Sequence, residues 1–338
     1  MRSRRRNVRF EAVGVTDIGR QRKHNEDHVL LRPELDLFVV ADGMGGHNAG
    51  DVASKLATVS LRNFYEATQD GDLPDGPLSE GYAELPFEAR RLAAAIRKAN
   101  RDVFEISSTY RQHHGMGSTV VAAVLVRERG VLHVGHVGDS RCYRYRDGDL
   151  TQLTHDHSLI NDALALKPDL TPEELARLPK NIITRALGMR EDVKVDIRSD
   201  DVRTGDIYLL CSDGLSGMVT EEEMARVLGA AYAIEGSDLR ESCETLVSLA
   251  NEAGGNDNIT ALLIRIEEPD EREHDDEDTD VRAQPAPPTD DTDVPDVEAV
   301  AIARMNTDEI EAVAADQDGG EEIVRCAACG ATVPVDEF

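Results

Sequence analysis

The chain has 338 residues and carries 66 acidic against 37 basic side chains, a net charge of −29. That balance argues against a general nucleic-acid binder, which needs a basic face, and no apolar run approaches the ~18 residues of a membrane span. The acidity is uneven, because 24 of the acids and only 4 of the basic residues lie from Glu267 onward, so a mildly acidic body precedes a solvated acidic tail.

Residues 1–7 are basic but lack the apolar core of a signal peptide, and read as a short extension. Residues 10–16 (FEAVGVT) alternate and predict a first strand. Residues 35–40 (LDLFVV) predict a buried strand that ends abruptly at Asp42-Gly43. Helical spacing covers 51–67, with Val52, Leu56, Val59 and Phe64 apolar. Residues 69–85 are rich in Gly, Pro and Asp and predict a loop. Pro86 starts a helix over 87–107. Strands are predicted at 119–126, 131–137 and 141–145, with Asp147-Gly148 as a hairpin turn into DLTQL. Residues 155–187 are mixed, with a short helix near Thr171-Pro172. Strands at 193–197 and 207–211, helices at 221–228 and 239–252, and a last strand at 259–266 complete the body. Strands come in runs and helices in pairs, so two packed sheets with helices outside fit better than alternating βαβ units.

Cys142, Cys211 and Cys243 are an odd set in the apolar body. They read as small buried residues in a reducing compartment, hence a cytoplasmic protein. Beyond Ile266 the chain is charged and then proline-containing, a disordered linker over 269–325. The final segment, 326–338, carries Cys326-Ala-Ala-Cys329. Zinc needs four ligands, and no histidine is near, so one chain alone is not expected to hold zinc at Cys326 and Cys329.

The functional signal is a repeated placement of aspartate. Apolar runs end in Asp42-Gly43, Gly138-Asp139 and Ser212-Asp213-Gly214, and Asp257-Asn258 stands just before the last strand. One such aspartate reads as a turn. Four are better explained as one cluster of hard oxygen ligands for a divalent metal. The stretch GMGG lacks a following Lys-Ser or Lys-Thr, so it is no phosphate-binding P-loop. His113, His114, His155 and His157 read as loop residues, since hard cations prefer the aspartates.

In order along the chain stand DIGRQRKHNED, VVADGMGGH, GMGSTVVAAV, HVGDSRCYRY, LTHDHS, ITRALG, LLCSDGLS and GGNDNIT. With these pieces, residues 8–268 resemble the bacterial metal-dependent Ser/Thr protein phosphatases of the PP2C (PPM) family. The resemblance implies an α+β, four-layer α/β/β/α sandwich. It implies hydrolysis of phosphoserine and phosphothreonine on proteins by a metal-bridging hydroxide, opposing a Ser/Thr protein kinase. Asp42 would bridge two Mn2+ or Mg2+ ions, with the Gly43 carbonyl completing one site and Asp213 and Asp257 the other. Glu26 and Asp27 would hold metal-bound waters. Arg22, four residues before Glu26, would grip the substrate phosphate, as a planar guanidinium does. Asp139 would bind a weak third metal.

Two positions depart from the family. Met44 replaces the histidine that follows the metal Asp-Gly in eukaryotic members, with His47 three residues on. Gly217 replaces an acid that commonly assists the third metal. A competing reading is a non-catalytic adaptor that binds phosphoproteins, but such chains lose metal aspartates that this one keeps. The flap over the active site in bacterial relatives corresponds to residues 155–187.

Overall fold

The computed structural model describes residues 7–46, 49–71, 73, 82–175, 177–179, 182–233, 237–267, 323–325 and 332–334. His47, Cys326, Cys329, nearly all of the expected N-terminal extension and most of the expected linker lie outside the described residues. The chain divides into two units, Met1–Ala286 and Pro287–Phe338.

The first unit holds two antiparallel sheets. One runs β1 (Arg9–Asp17), β11 (Ile259–Glu267), β10 (Ile207–Cys211), β7 (Arg141–Arg146), β8 (Asp149–Gln152) in spatial order. The other runs β2 (Asp27–Arg32), β3 (Leu37–Met44), β5 (Val120–Val126), β6 (Val131–Val137), β9 (Asp196–Asp201), with the short β4 (Gly117–Ser118) paired to β3. Helices α1 (Ala49–Ala67) and α2 (Phe87–Thr109) pack on the second sheet, and α6 (Glu221–Ala233) and α7 (Leu239–Glu252) on the first. This is the expected α/β/β/α sandwich.

The period-2 geometry of a strand explains the layering. In β10, Ile207, Leu209 and Cys211 face α6 and α7, while Tyr208 and Leu210 enter the layer between the sheets. There they meet Phe38 and Val40 of β3 and Val121 and Ala123 of β5. A strand covered on both faces has no polar side, which is why these runs read as continuously apolar. Cys142, Cys211 and Cys243 are free and buried.

The structure also corrects several sequence expectations. β2 was not predicted. Its sequence, DHVLLR, buries fully only Asp27. The strand expected at 193–197 lies at Asp196–Asp201, an edge strand that is polar but for Ile197. The mixed segment contains α3 (Leu159–Leu166), none of whose residues is fully buried, and α4 (Pro172–Leu175). A single turn, α5 (Asp213–Ser216), follows β10. The turn at Asp147-Gly148 forms as expected, both residues having positive φ (52° and 91°).

In the second unit, β12 (Ile323–Arg325) pairs antiparallel with β13 (Thr332–Pro334), matching Arg325 with Thr332. β12 falls within the stretch expected to be linker.

Candidate metal centre

Sheet packing carries the strand-edge aspartates to one place. Asp27 and Asp42 are register partners across β2 and β3. Asp139 follows β6, Asp213 follows β10 and Asp257 precedes β11. The two sheets are tied together at this edge through Asp27. Its Oδ2 accepts from Ser212 Oγ at 2.7 Å and from Thr260 Oγ1 at 2.7 Å. Both donors come from the opposite sheet's strands β10 and β11 or the residue directly after them.

The grouping is costly without a counter-ion. Two like charges ~4–5 Å apart repel by roughly 3–4 kcal/mol at an effective dielectric of 20. Burial and then neighbouring Asp27, Asp213, Asp257 and Asp139 push the Asp42 carboxyl well above the usual carboxylate range. Asp27 is pushed up to about 7, burial outweighing the hydrogen bonds from Thr260 and Ser212. Asp139 is pushed up to about 7, by burial and then Asp213. Asp213, which lies against Asp42, is raised by burial and then by Asp257. One oxygen on each of Asp27, Asp139 and Asp213 is buried without any hydrogen-bond donor. Carboxylate oxygens that lack donors and raise one another's pKa are a donor set fitted to a hard divalent cation.

Gly43 has to be glycine. A Cβ there would lie 1.9 Å from the Gly50 carbonyl oxygen at the start of α1, and its N–H donates to Glu26 O at 3.0 Å. The absent side chain lets β3, α1 and the Glu26 loop converge behind Asp42.

The loop before β2 carries the remaining expected residues. Arg22 is exposed at the rim, and its Nη2 donates to Asp257 Oδ2 at 2.6 Å. The Glu26 carboxylate turns toward the Gly50 N–H in the first turn of α1 and is raised by burial, against the pull of Arg22. Asn258 fixes this loop. Its Nδ2 donates to the Ile18 and His24 carbonyls at 2.9 and 3.0 Å, and its Oδ1 accepts from Glu26 N–H at 2.8 Å. All the expected aspartates, with Arg22, Glu26 and Gly43, therefore meet at one edge.

The profile of the family described as "Protein phosphatase 2C" matches residues 19–263. The chain belongs to the protein phosphatase 2C family. It is 38% identical over 255 residues to the serine/threonine phosphatase stp of Listeria monocytogenes, covering 74% of this chain and 93% of that one. It is 34% identical over 261 residues to the protein phosphatase PhpP of Streptococcus pneumoniae, covering 76% and 97%. Among solved structures, the serine/threonine phosphatase PstP/Ppp of Mycobacterium tuberculosis superposes with a TM-score of 0.63 at 34% identity, over 77% of this chain and 99% of that one. A structure of the PstP catalytic domain in complex with 2 manganese ions gives a TM-score of 0.62 at 34% identity, with the same coverage. Dependence on a divalent metal follows for this protein phosphatase 2C chain.

Sequence reasoning missed the supporting residues. Ser212, Thr260 and Asn258 stand inside motifs that were singled out for their neighbours. Thr119 is unmarked in the sequence likewise, though its N–H donates to Asp42 O at 2.8 Å and its Oγ1 accepts from Asp42 N–H at 3.2 Å. The histidines read as loop residues divide. His157 is buried, 4% exposed, and lies with His136 and Asp196 in one cluster.

Proposed function

We propose that the chain hydrolyses phosphoserine and phosphothreonine on proteins at a centre of two Mn2+ or Mg2+ ions, with a weaker third, and opposes a Ser/Thr protein kinase. The observation that carries this reading is the buried carboxylate group whose free oxygens have no donor, in a chain that keeps Asp42, Asp213 and Asp257. Asp42, Asp213, Asp257 and the Gly43 carbonyl would hold the two ions, and Asp139 the third. Bound divalent cations cancel the aspartates' repulsion and activate water as a nucleophile at neutral pH.

The other roles belong to the chain itself. Asp27 holds the two sheet edges together through Ser212 and Thr260, so that the ligands arrive pre-positioned. Glu26 and Asp27 stand beside these ligands, where they would hold metal-bound water. Arg22, at the rim, presents a guanidinium that meets two phosphate oxygens at once. In doing so it exchanges its contact with Asp257 for one with substrate. Among the described residues the hydroxyls that touch the carboxylates, Ser212 Oγ and Thr260 Oγ1, are engaged by Asp27 Oδ2, so the nucleophile would be water rather than a side chain, with no phosphoenzyme. The manganese-bound relative and the relatives' names support the activity. Retention of Asp42, Asp213, Asp257 and Arg22 counts against the adaptor reading. The free, buried cysteines support a reducing, cytoplasmic setting.

The test is turnover of a phosphothreonine peptide with Mn2+, then with EDTA. Release of phosphate that EDTA abolishes and Mn2+ restores is expected. A chain that binds the peptide without turnover, with Mn2+ present, is an adaptor.

A further inference from the structure

His157 and Gly138 are joined twice. The His157 backbone N–H donates to Gly138 O at 2.9 Å, and the Gly138 N–H donates to His157 Nδ1 at 2.9 Å. Gly138 has φ +112°, and a Cβ there would lie 2.6 Å from Thr119 Cβ. The turn is therefore held from both sides, by His157 and by Thr119. Asp139 is the next residue. Ser140 Oγ and Thr119 Oγ1 lie 2.7 Å apart, and Thr119 is bonded to the Asp42 backbone. A continuous set of bonds thus runs from Asp42 through Thr119 to the turn bearing Asp139, and on to His157.

The far side of His157 is also occupied. A neutral imidazole has one acceptor nitrogen. The Gly138 amide can only donate, so Nδ1 accepts from it. Nε2 faces Asp196 Oδ2 at 3.3 Å, and Arg185 Nη1 bonds Asp196 Oδ1 at 2.9 Å. His136 stacks on the ring, centroids 4.8 Å apart and planes 3° from parallel. The Arg185 guanidinium, with Nη1 2.7 Å from His157 Nε2, already brings a positive charge to this group, so it is not a cation site. Arg185 lies in the segment 155–187, whose backbone also bonds His157 O through Thr184 N–H at 2.9 Å.

We propose that His157 is a positioning residue for Asp139: it fixes the Gly138-Asp139 turn and couples the segment 155–187 to the metal centre. The proposal rests on the reading of Asp139 as a metal ligand, and its experiment separates the two. His157→Phe keeps a flat ring and removes the acceptor. His157→Asn keeps an acceptor near the position of Nδ1 and loses the bond to Asp196. Asp196→Ala removes that anchor from a half-exposed side chain, so it leaves the core intact if His157→Phe does not fold. Hydrogen exchange at the Gly138 amide and calorimetric Mn2+ titration are measured on the full chain. In His157→Phe, Gly138 exchange is expected to rise at least tenfold and the weak Mn2+ phase to lose about tenfold in affinity, with the tight phase kept. Asn should restore most of both, and Asp196→Ala should fall between Phe and wild type. Unchanged exchange and an unchanged isotherm in folded His157→Phe, or in Asp196→Ala where Phe does not fold, overturn the proposal. If wild type itself shows no weak phase, the metal reading of Asp139 fails, and the exchange data alone decide the clamp.

Discussion

Asp27 and Asp42 stand opposite one another across β2 and β3, and the pair divides its work. Asp42 lies with the other expected aspartates. Asp27, beside it on the same face of the sheet, is buried, with one oxygen taken by two hydroxyls and the other bare. On the proposed reading Asp42 would offer charge to an ion, and Asp27 would build the floor that holds it.

This floor gives the metal-free chain a pH dependence. The folded Asp27 carboxyl is pushed up to about 7 from an ordinary value of 3.8. Between those values the folded state binds a proton that the unfolded state does not. Stability from this group is therefore full below about pH 4 and is lost as pH rises through 7, by up to ~1.4 kcal/mol per unit. Urea unfolding in EDTA at pH 5, 6 and 7 should show the fall, and Asp27→Asn should lessen its slope, the remainder coming from Asp42, Asp139 and Asp213, which burial also raises. Mn2+ at pH 7 should restore stability, since it binds only the folded chain. An identical slope in Asp27→Asn would place the titration elsewhere.

Arg22→Ala should raise KM for phosphopeptides about tenfold or more and leave Mn2+ affinity within about threefold, because a charge-assisted bidentate contact is worth roughly 1.5–3 kcal/mol. The Arg22–Asp257 pair is exposed on both sides, 47% and 34%. Its loss should change stability by less than ~1 kcal/mol. Collapse of metal binding with KM unchanged would make Arg22 a structural partner of Asp257.

Gly217 has a different consequence in the fold than in the sequence. As a missing carboxylate it invites Gly217→Asp, which would strengthen a third metal site. Yet a Cβ at Gly217 would lie 2.8 Å from the Asp213 carbonyl oxygen, to which the Gly217 N–H donates at 2.7 Å. Any side chain displaces the turn that carries Asp213. Gly217→Ala and Gly217→Asp should both lower turnover, and neither should tighten the weak Mn2+ phase. Tightening by Asp alone would show that the turn yields.

Strand β11 ends at Glu267 after pairing along its whole length with β1. A chain ending at residue 268 should therefore fold, with a Tm within about 4 °C of the full chain, a shift equivalent to ~1 kcal/mol or less, and with unchanged turnover of a small phosphate ester. A large loss of Tm would mean that the acidic tail contributes to the body.

Residues whose chemistry is local were legible in the sequence. Asp42, Asp139 and Asp213 end apolar runs, Asp257 precedes one, and Asp147-Gly148 has a turn's composition. Residues whose partners are distant were not. Ser212 and Thr260 reach Asp27 across 185 and 233 positions, and nothing in their own neighbourhood marks them. β2 and β9 are edge strands. Their polar or mixed sequences lack the alternation that a half-buried strand needs. Burial of His157 depends on a cluster assembled from β6, β9 and the segment 155–187, so its local sequence, THDHS, reads as a loop.

The aspartate cluster is proposed to bind the metal that makes this chain a phosphatase. The most direct measurement is turnover of a phosphothreonine peptide by Asp42→Asn and Asp213→Asn at saturating Mn2+, with calorimetric Mn2+ titration of the same samples. Each substitution removes a charge without changing size. The account predicts folded proteins that lose at least ~10³-fold in turnover, about 4 kcal/mol of transition-state stabilisation, together with loss of tight Mn2+ binding. Wild-type-like turnover in either variant, with its Mn2+ isotherm intact, would contradict it.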